Sequence, residues 1–187
     1  KFGGTTKTAV ADTDGAWKIT FPAQEANTTP QSMTISSLGK EVVFDNILIG
    51  DVYLVGGQSN AELAVNRTVA HLNNAEQEEV KDLFRSDDKI RIFLQTKSYV
   101  VENEALWSTP QKDVINPDWR WQVASEEDAF WNFSALGCYF AKSLRENLSE
   151  DIPIGLVQMA AGGAFLDELM PNELNMQFGY TTKHTVS

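Results

Sequence analysis

The chain has a single cysteine, Cys138, among 187 residues. That count excludes an internal disulfide and a metal site built from several thiolates. No apolar run approaches the roughly 20 residues needed to cross a bilayer, so no membrane insertion is predicted. The opening residues also lack a signal-peptide pattern, so the segment reads as soluble, with a leader ahead of it left open. Basic residues are scarce: 15 Lys and Arg stand against 26 Asp and Glu, for a formal net charge of −11. Such a chain repels phosphate backbones and anionic surfaces, which argues against nucleic acid as a partner. Histidine is limited to His71 and His184. No group of His, Cys or acidic residues has metal-ligand spacing, and neither G-x-G-x-x-G nor G-x-x-x-x-G-K-[ST] occurs. No metal and no cofactor are therefore predicted, and a phosphate-binding turn at Gly56-Gly57 is set aside.

What is present is ordinary globular material, 42% apolar and 22% charged. The pattern changes near residue 50. Before it, Thr8–Ala11, Trp17–Phe21 and Ser32–Ile35 read as strands, with Asp14-Gly15 a hairpin signal. So few strands cannot bury both faces. Residues 1–49 are thus expected to be the carboxyl-terminal part of a β-sandwich-like domain whose beginning was cut away. From residue 50 the order is strand, helix, strand. Asp51–Val55 and Ile154–Met159 read as buried strands, Lys89–Gln95 as another strand and Asp118–Val123 as a short one. Glu76–Phe84 and Ser134–Leu148 read as helices. In the second helix Leu136, Tyr139, Phe140 and Leu144 recur at helical spacing and are expected to face a sheet, with Cys138 a small buried filler. This order predicts an α/β fold with a parallel sheet flanked by helices. The stretch around Pro110 and Pro117 reads as a loop, and Pro171–Ser187 carries no clear element. Asn-x-Ser/Thr triplets at Asn27, Asn66, Asn132 and Asn147 arise readily by chance and do not settle secretion.

Residues 55–61, Val-Gly-Gly-Gln-Ser-Asn-Ala, follow the first α/β strand. A serine hydroxyl needs a base to take its proton and donors to hold the oxyanion. A strand end leading into a helix start offers exposed N–H groups for the second need. From spacing alone, a loop in which Ser59 or Asn60 caps a helix is the commoner arrangement. Gly162-Gly163 follows the last strand at the same topological position and reads equally well as a plain turn.

Three ordered stretches shift the balance. Gly50-Asp51-Val52-Tyr53-Leu54-Val55-Gly56-Gly57-Gln58-Ser59-Asn60, with Glu62-Leu63, resembles the G-D-V-W-x-x-x-G-Q-S-N-M-E signature of the sialate O-acetylesterase family. Trp131–Ala141 resembles its F-S-A-x-G-Y-x-F-A segment. Pro153-Ile154-Gly155-Leu156-Val157-Gln158 through Met170 resembles its P-I-G-L-I-x-x-x-x-G-G-T-x-I-E-x-W-M segment. The Ala11–Trp17 opening also looks like the end of the β domain that precedes the catalytic domain there. The resemblance implies an SGNH-type hydrolase fold that removes O-acetyl groups from sialic acids or related acetylated glycans. It implies Ser59 as nucleophile, the Ser59 N–H with the Gly162-Gly163 turn as oxyanion hole, and Gln58 and Asn60 as supporting residues. It favours a secreted, periplasmic or lysosome-like compartment.

The sequence departs from that pattern at Ala61, Ala164, Asp167 and Leu169, which stand where the family has Met, Thr, Glu and Trp. It also lacks the downstream Asp-x-x-His that supplies the base, and the Gln-Gly-Glu motif. Thr181 lies three positions before His184, so neither histidine has an orienting acid. Residues 50–187 are accordingly expected to be the amino-terminal part of an esterase domain that needs the rest of its parent chain and is nearly inactive alone. The other reading is a non-catalytic, glycan-binding or interaction protein with a degenerate SGNH-like domain. Trp107, Trp119, Trp121 and Trp131 suit sugar stacking or plain packing equally.

Overall fold

The computed structural model describes residues 1–95, 116, 118–147, 149–165, 170 and 172–179. Its first regular element is an antiparallel hairpin of β1 (Asn27–Ser37) and β2 (Lys40–Ile49), with Ser37 opposite Lys40. Leu38 and Gly39 form the two-residue turn, both at positive φ, which matches the twist of the flanking strands. Ser32–Ile35 lies inside β1 as expected, but Thr8–Ala11 and Trp17–Phe21 form no strand, and β2 is an addition. The Asp14-Gly15 turn does form, with the Asp12 carboxylate accepting from the N–H groups of Asp14 and Ala16 at 2.9 and 2.8 Å. The ladder does not extend from it because its flanks bury nothing: Val10 is 95% and Trp17 51% exposed. A ribbon without a covered face gains too little to pair.

The main sheet contains β3 (Asp51–Gly57), β4 (Ile90–Leu94), β5 (Trp121–Val123) and β6 (Ile154–Ala160), in the order β3-β6-β4-β5. The first three are parallel and β5 is an antiparallel edge, so the fold is mixed α/β with a mostly parallel sheet. These apolar runs pair because every backbone group inside must find a partner and a sheet provides it. One face carries Val55, Ile90, Ile92, Ile154 and Leu156 into the core with Phe84, Phe130, Phe133 and Cys138.

Helix α1 (Ser59–Glu62) and α2 (Val65–Thr68) follow β3 directly. Helix α3 (Asn74–Arg85) starts at a capping box: the Asn73 side chain accepts from Ala75 and Glu76 N–H, and Glu76 accepts from Asn73 N–H. A 3₁₀ segment, Glu126–Asn132, leads into α4 (Ala135–Asn147). Here the expected stripe is rotated, although Leu144 of it packs against the core. The buried face of α4 holds Ala135, Gly137, Cys138, Ala141 and Arg145, while Leu136, Tyr139 and Phe140 stay at least 40% exposed. Small residues win the contact because they let the helix approach closely; a Cβ on Gly137 would lie 3.0 Å from Val55 Cγ2. The Tyr139 and Phe140 rings lean on Phe84 and Tyr53, with centroids 5.2 and 5.0 Å apart. A short helix, Asn172–Gln177, forms where no element was expected. The segment of Pro110 and Pro117, Trp107, Leu148, Asp167, Leu169 and His184 lie outside the described residues.

Candidate active site

The parallel register sets β3 and β6 side by side and ends them together, with Gly57 opposite Ala160. The turns that follow both strands, 57–62 and 161–164, therefore meet at the carboxyl edge of the sheet, where open α/β sheets carry their sites. At Gly57, φ is +140°, a conformation that a side chain would strain, and a Cβ there would press on the Ala61 methyl at 3.2 Å.

Ser59 is not a cap. The N-cap of α1 is Gln58, in an extended conformation and without a side-chain cap bond; that of α2 is Ala64. Ser59 is the first helical residue and exposed, as is Asn60. Their N–H groups precede the first intrahelical bonds, since Gln58 C=O accepts from Ala61 and Glu62 N–H at 3.0 and 2.9 Å.

Three hydrogen bonds stitch the two turns together. Ala161 N–H donates to Gly57 C=O at 3.0 Å. The Gln58 side-chain amide donates to Ala164 C=O, across 106 residues of sequence. Gly162 N–H donates to Glu62 Oε2 at 2.6 Å. A Cβ at Gly162 would overlap Glu62 Oε2, so the carboxylate would have to shift, and would lie 3.7 Å from Ser59 Oγ. Thus Gln58, Ser59, Gly162 and Gly163 come together at one edge, while Asn60 lies beside them with no side-chain bond among the described residues. His71 is exposed in the turn after α2.

Beneath the serine turn, Gln158 of β6 is buried and accepts the Ser134 N–H at 2.7 Å; Ser134 Oγ in turn accepts from Gly137 N–H at 3.2 Å. Ala135 N–H donates to Leu63 C=O at 2.8 Å and Val65 N–H to Phe133 C=O at 3.0 Å. The start of α4 is thereby tied to the end of α1. Sequence reading missed Glu62 and Gln158. Glu62 had two available signals, its place in the matched signature and its i+3 spacing from Ser59 on one helical face.

A cavity of about 440 Å³ sits at the opposite end of β3, between β2 and the amino ends of the strands, lined by Phe44, Asn46, Arg91, Trp121 and Pro153 among others. It is not the serine site. Burial pushes the Arg91 guanidinium below its ordinary value there, and Asn46 Oδ1 accepts from it at 2.9 Å. Trp121 packs on Phe93, and Trp131 on Phe130 beneath the Lys81 ammonium, so both tryptophans have packing roles.

No family model and no curated protein sequence matches the chain. Among solved structures, a carbohydrate acetylesterase from Xanthomonas citri is similar, with 28% identity and a TM-score of 0.74 over 94% of this chain. The fold is therefore esterase-like. The chain spans 36% of the length of that structure.

Proposed function

We propose that the protein is a serine carbohydrate esterase, of the SGNH type, that removes O-acetyl groups from sialic acid or related acetylated glycans. The observation that carries this reading is the meeting of the Ser59 turn and the Gly162-Gly163 turn at one sheet edge. There the position of a Gly162 Cβ lies 3.7 Å from Ser59 Oγ. Nucleophile and oxyanion donors must converge on one carbonyl. The similarity to a carbohydrate acetylesterase supports the ester chemistry and an acetylated carbohydrate as the substrate class.

In this reading Ser59 Oγ attacks the acetyl carbon while a base takes its proton. The carbonyl oxygen becomes an oxyanion held by the Ser59 N–H and by the 162–163 turn. The bond to the sugar oxygen breaks, and that oxygen takes the proton. Water then attacks the acetyl-serine with the same base, releasing acetate and restoring Ser59. Gln58 orients the serine turn by anchoring it to Ala164 C=O. The base in this reading is a histidine outside the described residues.

The test is labelling of the full-length protein with a fluorophosphonate probe, alongside p-nitrophenyl acetate and O-acetylated sialic acid as substrates. Labelling and hydrolysis are expected in the wild type and lost in Ser59→Ala. Absence of both from the wild type would instead favour a glycan-binding protein. The 187 residues alone are expected to hydrolyse the ester several orders of magnitude more slowly.

A further inference from the structure

We propose that Glu62 is a positioning residue of the Ser59 site, whose carboxylate holds the Gly162 N–H and so leaves the Gly163 N–H as the turn's donor to the oxyanion. The inference rests on the esterase reading above and adds a role to it. Glu62 lies three residues after Ser59, so both side chains project from one face of α1. Its Oε2 accepts the Gly162 N–H at 2.6 Å. A backbone N–H has one hydrogen, and a charge-assisted bond of this length is among the stronger ones a protein makes. Gly162 is therefore committed to Glu62. Gly163 follows with φ of +82°, and its N–H has no hydrogen-bond partner among the described residues.

The geometry also explains why position 162 is a glycine without conformational need. Gly162 is outside the left-handed region, so alanine would suit its backbone. The obstacle is the carboxylate, which a Cβ would overlap. Glu62 and the missing side chain at 162 are two halves of one contact. The serine turn and the oxyanion turn are thereby fixed in relation to each other before a substrate binds, and preorganised donors contribute most to holding an oxyanion.

The experiment uses the full-length protein with Ser59→Ala as control, measuring kcat, KM and melting temperature. Glu62→Ala is expected to lower kcat about 100-fold, the scale of losing one oxyanion donor. KM and melting temperature should change little. Glu62→Gln, whose amide oxygen can still accept the Gly162 N–H, is expected to stay within about tenfold of wild type. Gly162→Ala should reproduce the Glu62→Ala loss, and the double variant should lose little more than either single one, because both remove the same contact. The proposal is overturned if Glu62→Ala keeps wild-type kcat, if Glu62→Gln loses as much as Glu62→Ala, or if the two losses multiply. A wild type with no Ser59-dependent turnover would sink the esterase reading itself, a result distinct from these three.

Discussion

Cys138 shows how position decides the chemistry of a reactive side chain. It is 1% exposed on the inner face of α4, and burial pushes its thiol up to about 12. The thiolate is the reactive form, so the folded chain should resist alkylation. Iodoacetamide at mildly alkaline pH is expected to modify Cys138 only in denaturing urea; rapid labelling of the native chain would contradict its burial. The same shift makes stability depend on pH with a definite sign. The unfolded thiol releases its proton at a lower pH than the folded one, so above that point the unfolded chain binds fewer protons. The contribution of Cys138 is complete below its ordinary value of 9.0 and falls as pH rises towards about 12. Urea titrations across this range should show a steeper alkaline loss in the wild type than in Cys138→Ala.

Arg145 gives the inner face of α4 a charged end. Its guanidinium is buried, pairs with Asp87 beyond α3, and donates to Glu150 and Ile152 C=O at 2.8 Å each. Removing one partner of a buried pair leaves the other charge without compensation, so Asp87→Ala should cost about 3 kcal/mol in urea unfolding. Replacing Arg145 by methionine should cost less if the stem packing is kept; an equal loss would show that the carbonyl bonds matter more than the charge. This contact was not legible from sequence, because nothing local distinguishes a core arginine from a solvated one. The strands of the main sheet were legible, since Asp51–Val55 and Ile154–Met159 are apolar runs bounded by Gly and Pro. The expected burial holds for β6 and not for β3, where only Val55 is buried and Val52 and Leu54 are each 65% exposed. The meeting of Ser59 with Gly162 was legible too, because parallel neighbours end at one edge. The face of α4 was misjudged because Tyr139 and Phe140 dominate any hydrophobic count, whereas closeness to β3 selects Gly137 and Ala141. The early strands were misjudged because β propensity in Thr8–Ala11 and Trp17–Phe21 finds no covering surface. The contacts of Gln58 and Glu62 span 106 and 100 residues, so their partners could not be read from the local sequence.

Part of the second face of the main sheet, along β3 and the ends of β6 and β5, is exposed. The register sets Val52 opposite Gly155, Leu54 opposite Val157 and Phe93 opposite both Val157 and Trp121. These side chains, with Met159, share one side, where Val52 and Leu54 are each 65%, Met159 53% and Trp121 48% exposed. Parallel sheets are ordinarily buried on both faces, so this apolar area is in contact with water that it would lose on association. At neutral pH the opposing term is charge, since copies carrying a formal −11 repel one another. That repulsion vanishes near the sequence pI of about 4.6. The 187-residue chain is therefore expected to be dispersed at neutral pH and to associate as pH falls towards that value, which light scattering after size exclusion can follow. If the open face drives the association, Leu54→Gln with Met159→Gln should move its onset to a lower pH at unchanged net charge. An onset that stays in place would assign the association to charge loss alone, with the apolar face taking no part.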